Sequence, residues 1–550
     1  MKPLPILTGA LLACASLLSC KHPGSTGLPI PKDALLVMHI NANSMSSKLS
    51  WKDIQGSAWY HDMQEKNDDT TAHRVMENPE SAGIDLKSDF AYFLKKQGAG
   101  GYMVFEGKIK DAAAFERTLK EINKSGETKK DGDLSYIASG GKNIICWTSS
   151  RFFMMSDAPL AGLDFNMYRG SGQEYNFSSD SLRKFAQDLL ALKSDNNIDN
   201  DDRFSTLLKE SGDLHFWITS DQYANMGGGM FSMMKLSSLL QGNVSTFTLS
   251  FDDGKIAVKS KQFFGDEMKK VMESYKPHNV DAALLNRIPS QNICAVMAAN
   301  LDPNTLRAFM QASGLDGVAN AYLGKAGYSM NELLNATGGQ FIFSVSDLQI
   351  RPTGMSSYSD TSTYVRPSGP EMNMIFAASV RDRASFQKLL DIIDQQSKGE
   401  PHPAMYKMNN EWFAASNHIE NVDKFLAGAD VKHPFNDKIT GHPIGMYIDL
   451  QQLIKSANTS MNDATDSAVY NASIGLWKDV VMTGGDYSKG TATNNIVINM
   501  VDQSTNSLKQ LNQYADKLNA AHKLRRRYDF PTYNDSVETV APPMVTPESN

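Results

Sequence analysis

The chain has 550 residues, of which 41% are apolar and 21% are charged, and its formal net charge is −7. This composition is typical of a folded globular protein, and the length predicts two to four domains. Because the sequence has no overall excess of positive charge, nucleic acid is not expected as a partner.

The N-terminus has the pattern of a secretory signal over residues 1–19. Lys2 precedes an apolar run from Pro3 to Leu18, which is too short and too weakly flanked for a transmembrane helix. The run ends in Leu-Leu-Ser-Cys at Cys20, which resembles the lipobox of bacterial lipoproteins. The resemblance implies that Cys20 is acylated and that residues 20–28 form a lipidated tether.

A second cysteine offers an alternative cleavage site, because residues 11–14 also fit the lipobox pattern and end in Cys14. Cleavage there would leave the apolar residues 15–18 exposed, whereas cleavage before Cys20 removes them. We therefore assign lipidation to Cys20; an ordinary signal peptide with a chance cysteine is the alternative. Since Lys21 rather than Asp follows Cys20, the lipoprotein sorting pattern implies an outer-membrane anchor facing the periplasm.

Internal repetition is the main pattern of the remaining sequence. Four segments of the first half return in the same order: 30–41 at 288–300, 104–122 at 375–393, 151–157 at 411–417 and 216–218 at 446–448. The spacing between partners changes only where loops are expected, one of them a Ser/Thr/Pro/Gly-rich insertion at 349–371. We therefore predict an internal duplication with two homologous halves, residues 29–275 and 285–520.

Each half is predicted to contain both strands and helices. Apolar runs predict strands at 34–40, 102–109, 214–219, 246–251 and 255–264, and residues 90–94 are a hairpin partner for the second. The predicted fold class is α+β, with a mostly antiparallel sheet and packed helices in each half. Residues 528–550 are rich in Pro, Thr, Ser and acidic residues and are predicted to be a disordered tail.

Two aspartates recur at the junction between a strand and a helix, Asp111 and Asp382. They fit either a catalytic role or N-capping, in which the carboxylate accepts free amide hydrogens of the first helical turn. Capping explains both positions without chemistry, and we favour it.

The lipobox, the short tether and Ile30-Pro31-Lys32-Asp33-Ala34 leading into an apolar strand resemble a family of predicted bacterial lipoproteins of unknown function. The resemblance covers most of the mature chain, although its one sharp motif is residues 30–34. It implies a lipoprotein but identifies no catalytic residue.

The most credible binding motif is the acidic stretch at 195–202. Asp195, Asn197, Asp199 and Asp201 place oxygen ligands at alternating positions, which suits Ca²⁺. Thr206 occupies the position where a bidentate Glu is expected, so a solvated acidic loop is the alternative. No cofactor other than this structural calcium is indicated.

Cys146 and Cys294 lie in apolar runs and are interpreted as buried thiols, with a disulfide as the alternative. The Met-rich run at 226–234 fits either an adaptable apolar surface or ordinary core packing.

The sequence therefore predicts a lipid-anchored, periplasm-facing envelope protein with a non-catalytic role in binding or assembly. It has no local zinc motif and no nucleophile elbow. Two alternatives stay open: a periplasmic hydrolase with a site assembled from distant residues, and a carrier of an apolar ligand. The expected partners are the membrane, through the anchor, and an envelope protein or ligand.

Overall fold

The computed structural model describes residues 24–66, 69–98, 100–123, 126–139, 141–158, 176–220, 235–350, 370–396, 404–457 and 464–529. The predicted signal, Cys20 with its predicted acylation and the Met-rich run lie outside the described residues. The same is true of most of the predicted insertion at 349–371 and of residues 530–550.

Eighteen strands of the described residues form one sheet. The strands that precede residue 275 are β1 (Leu36–Ile40), β2 (Phe90–Gln97), β3 (Gly100–Lys108), β4 (Lys129–Asp131), β5 (Leu134–Ser139), β6 (Asn143–Trp147), β7 (Arg151–Asp157), β8 (Leu214–Thr219), β9 (Val244–Asp252) and β10 (Lys255–Phe263). The later strands are β11 (Ile293–Asn300), β12 (Thr337–Gln349), β13 (Glu371–Val380), β14 (Met405–Met408), β15 (Trp412–Ser416), β16 (Ile444–Asp449), β17 (Trp477–Ser488) and β18 (Thr491–Met500).

Helices lie on both faces of this sheet. Those of the first half are α1 (Ala42–Lys48), α2 (Trp51–Gln55), α3 (Ala58–Glu65), α4 (Thr70–Glu77), α5 (Ala112–Ile122), α6 (Ser179–Leu190), α7 (Asp202–Lys209), α8 (Leu236–Leu240) and α9 (Asp266–Met272). The later helices are α10 (Ala282–Leu285), α11 (Pro303–Ser313), α12 (Leu315–Leu323), α13 (Met330–Ala336), α14 (Arg383–Gln396), α15 (Ile419–Ala427), α16 (Asn436–Ile439), α17 (Leu450–Ala457), α18 (Ala464–Ile474) and α19 (Ser507–Asp529).

Every strand pairing in the sheet is antiparallel, so the predicted α+β class is confirmed. The spatial order of the first half is β4-β5-β6-β7-β3-β2-β1-β8-β9-β10, and that of the second half is β14-β15-β13-β12-β11-β16-β17-β18. The predicted hairpin of β2 with β3 is confirmed. The matched segments form β1 and β11, β3 and β13, β7 and β15, and β8 and β16, which stand at corresponding places in the two orders.

One pairing joins the two halves into a continuous sheet. β10 pairs with β18 over its whole length, with Lys259 opposite Asn495. Both strands are the second members of hairpins, and Gly254 supplies the positive φ of +67° that the β9–β10 turn requires. Backbone hydrogen bonds therefore connect strands more than two hundred residues apart.

The predicted caps are confirmed by their hydrogen bonds. The backbone amides of Ala113 and Ala114 each donate to the Asp111 carboxylate at 3.0 Å, and α5 follows. Similarly, the amide of Ala384 donates to Asp382 Oδ1 at 3.0 Å at the start of α14. These carboxylates stabilise helix N-termini.

The sheet has two faces, here named face I and face II, because alternate side chains of a strand point to opposite sides. Face I carries Val37 and Trp217 in the first half and is covered by α6 and α7; in the second half it packs against α15 and α16. Face II carries Phe90 and Phe105 in the first half and is covered by α1, α4 and α5. In the second half, α13 and α14 cover only part of face II.

Candidate functional site

A row of apolar side chains is exposed on face II of the second half. Met297 on β11, Phe343 on β12 and Phe376 on β13 are paired in register across three adjacent strands. They are 47%, 43% and 42% exposed, respectively, and Met446 of β16 continues the row beyond Met297. Four contiguous positions of a sheet face are thus Met or Phe, and three of them are more than 40% exposed.

The corresponding row in the first half, Met38, Tyr92 and Phe105, is more deeply covered. Phe105 stands at the place of Phe376 in the strand order and is only 9% exposed. Its ring stacks on Phe90 with a centroid distance of 5.7 Å and contacts Phe152 at 5.9 Å. Phe115 of α5 in turn stacks on Phe152 at 5.4 Å. The helices therefore cover this row more completely in the first half than in the second.

Two helices of the second half also present apolar side chains to solvent. None of the residues of α12 is buried, and its Val318 and Tyr322 are exposed, as is Leu306 of α11. On face II, α14 covers one end of β13, where its Phe386 packs against Phe413 with ring centroids 5.1 Å apart. We name Met297, Phe343, Phe376 and Met446 the open row.

Methionine and phenylalanine supply no acid, base or nucleophile, so the open row can act only by burying apolar surface. Contiguous exposed apolar side chains on a folded protein usually mark an interaction site. Methionine side chains are flexible and polarizable, which suits them to ligands of irregular shape.

A chain of buried polar contacts lies on face I of the first half. His39 of β1 is directly opposite His215 of β8, and their Nδ1 atoms are 3.2 Å apart. His39 Nε2 lies 2.9 Å from Asp89 Oδ2, and His215 Nε2 lies 3.0 Å from the carbonyl oxygen of Glu210. Burial, followed by the charge of His39, lowers the pKa of His215.

These contacts use both nitrogen atoms of each imidazole, so neither ring faces a serine or cysteine nucleophile. The pair is therefore held in place by buried polar contacts on both sides. Sequence pattern did not indicate this pair, since His39 and His215 lie far apart in sequence and meet only through strand register.

Glu106 of β3 is a second buried polar group on face I. Its side chain is 0% exposed and neither carboxylate oxygen has a hydrogen-bond partner. Burial raises the pKa of Glu106 to about 8. The positive charge of Arg151 lowers this pKa somewhat, and the negative charge of Asp199 raises it. Glu106 is therefore mostly protonated at neutral pH.

The acidic stretch predicted to bind calcium is largely engaged with protein donors. Asp199 accepts hydrogen bonds from Ser25 Oγ at 2.7 Å and from the amide of Thr26 at 3.1 Å. Asp201 caps α7 and accepts two bonds from the Arg203 guanidinium, at 3.0 and 2.8 Å. The Asn197 side chain caps a short 3₁₀ turn, Ile198–Asn200, and donates to the carbonyl of Leu28 at 2.8 Å.

Asp195 is exposed in the preceding 3₁₀ turn. Within the described residues, no cluster of three or more His, Cys, Asp or Glu side chains is arranged to hold a metal ion. Calcium binding at 195–201 stays a prediction.

Both body cysteines are free and buried, so the alternative of a disulfide between Cys146 and Cys294 is wrong. Burial raises the pKa of the Cys146 thiol to about 12. This thiol is therefore not a reactive nucleophile.

In the part of the chain that the structure describes, no helix combines the length and apolar character needed to span a bilayer. A model of a family described as a domain of unknown function (DUF4836) matches residues 29–299. No curated protein matches the chain.

Two solved structures, crystal forms I and III of TP0453, are similar to the chain with 9% sequence identity. The alignment with form I has a TM-score of 0.24 and covers 48% of this chain and 88% of that chain. For form III the TM-score is 0.25 and the coverage is 48% and 89%.

Proposed function

We propose that this protein is a lipid-anchored, periplasm-facing envelope protein that binds the acyl chain of an amphiphile on the open row, without catalysing a reaction. The main support for this proposal is that Met297, Phe343 and Phe376 are exposed side by side on one sheet face. Their counterparts in the first half are less exposed, since Phe105 is buried and Met38 and Tyr92 are half-buried.

The anchor places the chain next to its source of ligand. The lipobox at Cys20 supports acylation, and more than one acyl chain on the N-terminus gives stable membrane attachment. An anchored protein encounters membrane amphiphiles at high local concentration. Because no charged side chain occurs among the four residues of the open row, an apolar chain suits it better than a polar peptide.

We further propose that the two halves arose by internal duplication. Support comes from the corresponding strand orders around β1 and β11 and from the capped helices that follow β3 and β13. Duplication would also explain why one copy could keep a closed core while the other copy opened the same face for binding.

A fluorescent fatty acid, dansyl-undecanoic acid, tests the binding proposal on the purified full-length protein. The Met297→Ser/Phe343→Ser double variant should bind it roughly tenfold to hundredfold more weakly. Full burial of such a side chain contributes about 1.5–3 kcal/mol, and only the 47% and 43% of these two that is exposed is available to the ligand. Both side chains are already exposed, so the melting temperature should change little.

Met63→Ser on α3 is the matched control, because Met63 is also an exposed methionine but belongs to the first half. Equal affinity of the double variant and the unmodified protein would contradict the proposal. An equal loss in the control would show that binding is not localised to the open row.

A further inference from the structure

A cavity of about 310 Å³ opens on face I of the first half, whereas the open row lies on face II of the second half. Its lining includes charged side chains (Lys32, Lys96, Asp201, Arg203) and apolar ones (Leu35, Trp217, Val244). Lys32 belongs to the Ile30–Ala34 motif, which contributes no residue to the open row.

The charged side chains around this cavity carry an excess of positive charge. Arg203 is neutralised by Asp201, whose carboxylate accepts from its Nε and Nη2 atoms at 3.0 and 2.8 Å. Asp33, which also lines the cavity, is neutralised by Lys95, with Lys95 Nζ donating to Asp33 Oδ2 at 2.6 Å. Among the described residues, Lys32 and Lys96 have no ion-pair partner. Two positive charges are therefore left at this cavity.

The inner wall is apolar and aromatic. Trp217 is 1% exposed, and the Arg203 guanidinium lies over its ring, 5.1 Å from the centroid. Leu35 and Val244 are also buried. The indole Nε1–H of Trp217 has no acceptor, and a buried donor without an acceptor is unfavourable. The wall thus offers an apolar surface to a ligand.

We propose that this cavity binds a small organic carboxylate, with the anion at Lys32 and Lys96 and the apolar body against Trp217, Leu35 and Val244. The volume lies at the lower end of ordinary small-molecule sites, which fits a short-chain acid better than a long-chain lipid. The position matched to Lys32 in the second half is Ser290, so the site belongs to the first half alone. This proposal does not depend on the proposed function.

Isothermal titration calorimetry of the full-length protein with hexanoate tests it. Hexanoate should bind, whereas hexanol, which lacks the charge, and inorganic phosphate, which lacks the apolar body, should bind at least tenfold more weakly. The Lys32→Glu/Lys96→Glu variant should lose at least tenfold in hexanoate affinity. Both lysines are exposed, so this variant should fold.

Lys255→Glu/Lys259→Glu is the charge-matched control, since both lysines are exposed and Lys255 lies at the opposite end of the β9–β10 hairpin from Val244. It should leave hexanoate affinity unchanged, as should Met297→Ser/Phe343→Ser. The proposal is overturned if hexanoate does not bind, if hexanol or phosphate binds equally well, or if the Lys32→Glu/Lys96→Glu variant retains full affinity. Loss of hexanoate binding in the Met297→Ser/Phe343→Ser variant would instead place the acid on the open row.

Discussion

Glu106 makes the stability of the first half dependent on pH. In the unfolded chain this carboxyl ionises near 4.5, whereas burial raises its pKa in the folded protein to about 8. Between these two values the folded state binds more protons than the unfolded state, so stability falls as pH rises. Each unit of difference corresponds to about 1.4 kcal/mol, which gives roughly 3 kcal/mol of lost stability at neutral pH.

The substitution Glu106→Gln removes this dependence while keeping size and polarity. The amide cannot ionise in either state, so the variant should be nearly as stable as the unmodified protein at about pH 5 and several kcal/mol more stable at about pH 8. Urea denaturation at a series of pH values measures the difference. Ala377 occupies the corresponding place on β13 and is fully buried, which indicates that the fold does not require a carboxylate there.

Glu77→Gln provides the control, because Glu77 is exposed at the end of α4. It should leave the pH dependence unchanged. If Glu106→Gln and the unmodified protein lose stability in parallel between about pH 5 and pH 8, the buried carboxyl is not the origin of the slope and the reasoning is refuted.

Other single substitutions test the buried histidines, a helix cap and the lipid anchor. His39→Leu removes a contact of buried Asp89 and should cost roughly 2–4 kcal/mol in urea denaturation; an unchanged midpoint would contradict this. Asp111→Ala should cost about 1 kcal/mol and Asp111→Asn less, because asparagine keeps an acceptor oxygen; equal losses would argue against capping. Cys20→Ala should abolish acyl labelling and release the protein from membranes. If that variant stays acylated while Cys14→Ala does not, the assigned cleavage site is wrong.

Much of the local structure could be predicted from the sequence. The strand predicted at 214–219 matches β8, and those predicted at 246–251 and 255–264 correspond to β9 and β10. Asp111 and Asp382 cap helices because a carboxylate can satisfy amides only one or two residues away, which is a local property. The short helices α1 to α4 are not predicted by pattern, since none exceeds eight residues and so short a segment shows little periodicity.

The candidate sites could be predicted only in part. Lys32 is found in the one distinctive motif of the mature chain, but its cavity partners Lys96 and Trp217 come from other strands. His39 and His215 carry no spacing signal, because register across β1 and β8 brings them together. The proposed calcium ligand Asp199 instead accepts hydrogen bonds from residues near position 25, a contact that no local pattern encodes.

The sequence by itself determined which side chains alternate between the two faces of a strand, where the turns fall and which residues cap the helices. Each of these features depends on residues within a few positions of one another. Only the tertiary structure decided that β10 pairs with β18, since the backbone groups of a strand edge accept any partner of suitable register. It also decided that Phe105 is buried and Phe376 is exposed, although both follow a β-branched residue in matching strands. The difference arises from the helices that cover each face, and burial is a property of the whole packed layer.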